Sequence, residues 1–199
     1  HQGKVRRIHQ VVMVSSLEKA QELAQALLSR GVKLSSDGRP ILGLSSRNLL
    51  ELCLSVDSSA IFIPAHIWTP HFGVFGSESG YDSLGDCFED LTDQILAVET
   101  GLSSDPAMNW RVSNLNHVSI ISNSDAHSPQ KVGREATVFD WPERTYTQLH
   151  ESLREQRGLL HTIEFFPEEG KYHLDGHRNC GVRFEPRETA RHKGRCPKC

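Results

Sequence analysis

The sequence predicts an α/β protein with a mainly parallel sheet or barrel. Three observations carry that prediction. Short, fully apolar runs such as residues 60–64 and 118–121 read as strands buried on both faces. Amphipathic segments opened by Ser or Thr lie between them. Several apolar runs also end in His, Glu or Asp, where parallel α/β folds gather their functional groups.

In chain order, residues 5–14 are rich in β-branched and apolar side chains and form the first predicted strand. Ser15 and Ser16 then cap a helix running to about Arg30. Leu17, Ala20, Leu23, Ala24, Leu27 and Leu28 recur there at helical spacing, and Gly31 ends it. Residues 33–43 are turn-like, and Ser45 and Ser46 open a second helix through Leu54. The strand at 60–64 leads into a glycine-rich loop, 72–85. A helix at 87–94 and a strand at 95–98 follow, and Asp105-Pro106 opens a short helix. Strands are predicted at 118–121, 136–139 and 160–165, with a helix at 145–157 that sets Leu149 and Leu153 on one face.

The chain has 199 residues, 37% hydrophobic and 24% charged, which suits one domain with a small appendage and excludes global disorder. No apolar run nears the ~20 residues of a membrane helix, and no basic-apolar signal segment is present, so a soluble, cytoplasmic protein with no membrane partner is expected. The net charge of −3 hides an asymmetry: residues 171–199 carry 8 Lys/Arg against 3 Asp/Glu, and the rest carries 14 against 22. An acidic body with a basic tail suggests a metal-holding body and an anion-touching tail. The start on His1 and the end on Cys199, the second member of a Cys-x-x-Cys pair, read as an internal piece of a longer protein.

Three strands end in metal-type or acid/base residues: Pro64-Ala65-His66, Val98-Glu99, and Ser122-Asn123-Ser124-Asp125-Ala126-His127. An early strand also carries His9. A lone His at a strand end is more often an ordinary polar residue, and Glu99 and His9 have equally plain structural readings. Asp-x-His after a buried strand is more specific, and the four positions together inform more than any one. Carboxylates with imidazoles suit Zn²⁺, Mn²⁺ or Fe²⁺, ions that lower the pKa of water and clamp phosphate oxygens.

The tail carries a second signature. His177-x-x-Cys180, fifteen residues, then Cys196-x-x-Cys199 has the spacing of a structural zinc site. The three cysteines are the strong part of the signal. His177 has the right offset for the fourth ligand, with His173, His192 or a residue beyond Cys199 as rivals. Bound zinc would explain how a tail with few large hydrophobes folds.

These residues resemble a known family. Residues 122–127 look like the late Asp-x-His motif of PHP-domain metallohydrolases, and Pro64-Ala65-His66 like their middle His motif. More narrowly, the stretches 64–70 with 72–77, 99–111 and 170–180 resemble endonuclease Q, and with their spacing they cover most of the chain. The resemblance implies an incomplete PHP-type distorted (β/α) barrel over 1–165 and a small ribbon-like zinc-binding segment over 166–199. It implies a metal-dependent DNA-repair endonuclease that cuts 5′ of deaminated bases (hypoxanthine, uracil, xanthine) or at abasic sites. Asp125, His127 and His66 carry over as catalytic metal ligands, and His9 less securely. The zinc group is Cys180, Cys196 and Cys199 with His177. The cofactors expected are structural Zn²⁺ and catalytic Zn²⁺, Mn²⁺ or Mg²⁺. The family's first-strand His-x-His and the following Glu are absent from this sequence, which implies that the isolated piece is inactive.

The expected partner is duplex DNA containing deaminated bases, with a replication clamp as a further candidate. Glu99, Ser103, Ser104, Asp105, Trp110, Trp68 and Arg178 are the candidate substrate contacts. Trp68, Tyr81 and Trp110 are candidates to stack on an extruded base, though each is more readily explained by packing. Arg178, Arg183, Arg187, Arg191, Lys193 and Arg195 are candidates for phosphate contacts. Three rivals compete with this reading: a PHP-type small-molecule phosphoesterase, a non-catalytic nucleic-acid-binding module, and a barrel scaffold within a larger machine. The basic zinc tail argues against the first.

Overall fold

The computed structural model describes residues 5–35, 39–169, 174–177 and 180–199. The elements run β1 (Gln10–Met13), α1 (Leu17–Leu28), α2 (Ser46–Val56), β2 (Ile61–Pro64), α3 (Leu84–Phe88), β3 (Ala97–Glu99), α4 (Pro106–Asn109), β4 (Ser119–Ile121), β5 (Ala136–Phe139), α5 (Tyr146–Glu155), β6 (Leu159–Ile163), β7 (Asp175–His177), β8 (Val182–Phe184) and α6 (Pro186–Arg191).

The helix starts follow the hydroxyl and carboxylate caps. Ser16, Ser45, Ser83, Asp105 and Thr145 each accept a bond from a backbone N–H of the first turn. The helix predicted at 87–94 is instead α3 followed by a 3₁₀ stretch, Glu89–Gln94, because Glu89 takes a left-handed φ of 53° and breaks the α-helical run.

The sheets differ from the expectation. Among the described residues there are four two-stranded sheets, and of these only β3–β4 is parallel. β1–β2, β5–β6 and β7–β8 are antiparallel. The expected mainly parallel sheet is therefore corrected, for two physical reasons. Two helices, α1 and α2, lie between β1 and β2, so three connections, an odd number of reversals, bring β2 back against β1. Between β5 and β6 the helix α5 is an insert in a hairpin, not a crossover. Asp140 N–H donates to Gly158 O at 2.8 Å, so the strand ends stay adjacent across the helix.

β2 separates two apolar clusters. Phe62 faces one side and meets Phe88 edge-to-face at 5.9 Å, with Leu50, Ile67, Val74 and Leu84 around them. Ile61 and Ile63 face the other side with Leu96, Ala97, Ile121 and Leu153. This period-2 division of a run buried on both faces explains why residues 60–64 read as continuously apolar. The first cluster pins α1–α3 and the loop after β2, and the second pins β3, β4 and α5.

Candidate functional site

The antiparallel pairing of β1 with β2 brings the start of one strand to the end of the other. Ala65 N–H donates to His9 O at 3.1 Å, which sets His9 beside His66. His9 Nδ1 then lies 3.1 Å from His66 Nε2, and the His9 ring stacks on Phe72 at 4.5 Å. His66 is buried in a left-handed conformation with φ 32°. Its N–H donates to Glu99 Oε2 at 2.8 Å, and Ile67 N–H donates to Glu99 O at 3.0 Å. The other oxygen, Glu99 Oε1, accepts from Asn123 Nδ2 at 2.9 Å. Glu99, 4% exposed, thus links the ends of β2 and β4 through the end of β3. Gly101, with φ 60°, makes room for this: a Cβ there would collide with the His66 Cβ.

Asp125 and His127 lie in the loop after β4. Asp125 has φ 42°. Residues 133–135 hold that loop: Gly133 N–H donates to Ser124 Oγ at 2.7 Å, Ser124 Oγ donates to Glu135 O at 3.1 Å, and Arg134 Nε donates to Ser124 O at 2.8 Å. Arg134 Nη2 reaches Asp125 O at 3.4 Å. His127 Nδ1–H donates to Asp125 O at 2.8 Å, which leaves Nε2 as the acceptor nitrogen. Arg39 Nη1 approaches that nitrogen at 3.2 Å.

Burial holds the His9 imidazole below its ordinary pKa. The neighbouring His66, Arg39 and His127 push the same way, and Asp125 opposes them. The structure therefore pairs His9 with His66 and Asp125 with His127, and sets both pairs in one electrostatic neighbourhood. The donor chemistry fits a metal: two imidazole nitrogens 3.1 Å apart, and a buried His66 Nδ1 with no hydrogen-bond partner among the described residues.

The remaining predicted contacts divide. Ser103 and Ser104 are buried, and Ser104 Oγ donates to Thr100 O at 2.9 Å while accepting from Asn109 Nδ2 at 3.0 Å. Asp105 caps α4. Trp68 donates through Nε1 to Asn109 Oδ1 at 2.8 Å and packs on Phe75, and Tyr81 lies under the Arg6 guanidinium. Trp110 is 70% exposed. It lines an open groove of about 450 Å³ with Asp105, Pro106, Glu164, Phe165 and Phe166. Arg178 lies outside the described residues, as does His173.

In the tail, β7 and β8 pair antiparallel, with His177 the last residue of β7 and Cys180 shortly before β8. The ligand atoms of His177, Cys180, Cys196 and Cys199 all lie within 4.8 Å of one another. Cys199 Sγ is 3.2 Å from His177 Nδ1. Burial would raise the Cys196 thiol, but the N–H groups of Lys198 and Cys199, with His177 and the Cys199 thiol, outweigh it and bring Cys196 down to about 6. A hydrogen bond to Cys199, then burial and Cys196, hold Cys180 up at about 11. His192 stacks flat on Phe184 at 4.7 Å and is not in the cluster. One imidazole and three thiols converging this closely suit a metal such as zinc.

With this geometry in view, the chain can be set beside known proteins. The crystal structure of the lesion-specific endonuclease PfuEndoQ from Pyrococcus furiosus superposes on 97% of this chain and 48% of its own, with a TM-score of 0.77 and 27% identity. This chain is a relative of endonuclease Q. A family model described as PHP-associated matches residues 108–157. The uncharacterized protein YqxK of Bacillus subtilis is 33% identical over 187 residues, covering 92% of this chain and 46% of YqxK. An uncharacterized protein of Methanocaldococcus jannaschii is 29% identical over 153 residues, covering 72% of this chain and 19% of its own length. The chain thus spans less than half the length of each of these relatives. Among the described residues, no helix is long and apolar enough to cross a membrane.

Several residues of this endonuclease Q relative escaped the sequence reading: Arg39, Asn123, Arg134, Glu135 and Glu164. Glu135 is 2% exposed, and its Oε1 accepts from Phe165 N–H at 3.2 Å. Its Oε2 is buried with no partner among the described residues. Burial pushes the Glu135 carboxyl up to about 7; the charges of Glu164 and Glu99 add to this, and Phe165 N–H and Arg134 oppose it. Burial also raises Glu164, whose Oε2 accepts from Thr100 Oγ1 and Ser122 Oγ, each at 3.2 Å. A legible signal existed for these two: Glu135 immediately precedes the strand predicted at 136–139, and Glu164 is the penultimate residue of the one predicted at 160–165.

Proposed function

We propose that this chain is part of a metal-dependent DNA-repair endonuclease that hydrolyses the phosphodiester 5′ of a deaminated base or at an abasic site. The observation that carries the reading is the match to a lesion-specific endonuclease over 97% of the chain. The pairing of His9 with His66, beside Asp125 and His127, supports it. The body, 1–165, is proposed to belong to a PHP-type distorted barrel, with 166–199 as the zinc-binding segment. Duplex DNA is the proposed partner and the cytoplasm the proposed location. A clamp remains a candidate partner.

His9, His66, Asp125 and His127 would hold the catalytic Zn²⁺, Mn²⁺ or Mg²⁺, which when bound activates water and neutralises charge on the scissile phosphate. The chain's own residues do the placing. Glu99 orients the His66 backbone, and Asn123 ties that carboxylate to the Asp125 loop. Arg134 and Ser124 hold Asp125 in its left-handed conformation. A deaminated base pairs poorly and costs less to extrude, and the exposed Trp110 with Phe165 and Phe166 offers an aromatic wall for it. Ser103, Ser104, Asp105 and Trp68 shape that wall from behind. His177, Cys180, Cys196 and Cys199 would hold structural zinc, placing the basic residues of the tail against phosphates.

The test is an end-labelled duplex carrying one deoxyinosine, incubated with the full-length parent protein and Mg²⁺ or Mn²⁺. A single nick immediately 5′ of the inosine, absent from undamaged duplex, is the expected result. No nick from a folded, metal-loaded protein would overturn the proposal.

A further inference from the structure

We propose that Asn109 is a positioning residue for the aromatic groove: its side-chain amide fixes the turn that presents Trp110 to the loop that follows β2, and so sets the groove to receive an unpaired base. The inference rests on the nuclease reading for the choice of that base, and it adds a residue that the reading does not use.

Three observations carry it. The first is the state of the Asn109 amide. The residue is wholly buried, and both polar atoms of its side chain are bonded. Oδ1 accepts from Trp68 Nε1 at 2.8 Å. Nδ2 donates to Ser104 Oγ at 3.0 Å and to Asp105 O at 2.8 Å. An indole nitrogen only donates and a carbonyl oxygen only accepts, so the amide fits in one orientation alone. An ionised Asp in its place would set an oxygen against Asp105 O.

The second observation is the turn itself. α4 has four residues, and a single helical turn does not hold itself in water. Asp105 caps it by accepting from Met108 N–H at 2.7 Å, and Asn109 Nδ2 ties the last helical residue back to that cap. Trp110 follows directly, its N–H donating to Pro106 O at 2.9 Å. The amide that closes the turn therefore also fixes the root of Trp110.

The third observation is what the amide joins. Trp68 lies two residues past His66, and Ser104 and Asp105 lie in the stretch that leaves β3 after Glu99. Asn109 thus bonds the loop after β2 to the loop after β3. On the outer side of the turn, Trp110 and Phe166 are each 70% exposed and line the groove with Phe165. Aromatic rings gathered in the open mark a binding surface. A base stacked on Trp110 would then lie at a fixed offset from His66.

The test uses the full-length parent protein with Asn109→Ala, Trp110→Ala, their double variant, and Trp68→Phe. The last deletes the indole donor and keeps a ring against Phe75. Two duplexes are compared, one carrying deoxyinosine and one a tetrahydrofuran abasic analogue at the same position. Affinity is read by fluorescence anisotropy, nicking on a gel, and folding by thermal melt. The unmutated protein is expected to bind the inosine duplex about tenfold more tightly, the contribution of one stacked base. Asn109→Ala is expected to lose that preference. Trp110→Ala loses it equally, and the double variant loses no more than either. Trp68→Phe lowers the preference about threefold, the scale of one hydrogen bond, and decides the matter if Asn109→Ala does not fold.

An unchanged preference in Asn109→Ala or Trp68→Phe overturns the inference, whether affinity for both duplexes falls equally or not at all. Additive losses in the double variant also overturn it, because Asn109 would then act by a route other than Trp110. So does an unmutated protein that shows no preference for the base-bearing duplex. A parent that prefers the inosine duplex without nicking it counts against the nuclease reading alone, since the binding cycle still decides Asn109.

Discussion

The two candidate metal sites are built in opposite ways. The tail cluster draws its four ligands from two short knuckles, and their donor atoms already lie within 4.8 Å of one another. The strand-end centre draws His9, His66, Asp125 and His127 from three separate stretches of chain. It depends on hydrogen bonds made by Glu99, Asn123, Ser124 and Arg134. Local turn geometry suffices to assemble the first site, whereas the second requires the whole body to fold. A closed set of four ligands suits a structural ion; histidines beside an exposed carboxylate, drawn from separate strand ends, suit an ion that must leave room for a substrate.

The largest expected effect separates the two. Asp125→Ala in the full-length protein should reduce cutting by about 10³-fold or more, several kcal/mol of lost transition-state stabilisation, while duplex binding and tail metal persist. Single-turnover cleavage of labelled inosine duplex checks this, and full activity would remove Asp125 from the centre. Next, Cys196→Ser should empty the tail site and expose residues 174–199 to proteolysis, since metal and folding are coupled there. Duplex binding should weaken about tenfold, roughly 1.4 kcal/mol. Limited proteolysis with metal analysis reads the outcome, and an equally protected tail would show that the cluster is not what holds it.

Gly101→Ala should then cost about 3 kcal/mol in urea unfolding. Of this, the left-handed backbone accounts for about 1–2 kcal/mol and the displaced His66 for the rest. A neutral result would mean that His66 is not held as tightly as Glu99 and Gly101 imply. The smallest effect is on pH. Glu135 keeps its proton up to about 7 in the folded chain, against 4.5 for an ordinary Glu. Between those values the unfolded chain ionises first, so stability falls as pH rises and levels off above about 7. The expected loss is on the order of 2 kcal/mol. Glu135→Gln should flatten the profile between pH 4.5 and 7, measured as the urea midpoint at each pH.

Much of this was legible in the residues. Ser16, Ser45, Asp105 and Thr145 announce their helices because a short polar side chain before an amphipathic run satisfies the first free N–H groups. The tail cluster was legible because Cys and His at knuckle spacing converge through local turns alone. The strand directions were not, because periodicity says nothing about whether a helix crosses over a sheet or is inserted in a hairpin, as α5 is. The hairpin and helix of the tail were missed because they hold almost no large apolar residues from which to read a period. Arg39 was illegible for a related reason. Its contact with His127 spans 88 positions, and no local pattern encodes such a meeting.

β2 couples the two apolar clusters mechanically. Its four residues supply Phe62 to one apolar cluster and Ile61 and Ile63 to the other, so neither cluster can melt without stripping one face of the same strand. His66 hangs two residues beyond that strand, and His9 is paired alongside it. Damage to packing on either side therefore reaches the imidazoles along one short lever. The packing of the body and the placement of the two imidazoles thus rest on the same few side chains.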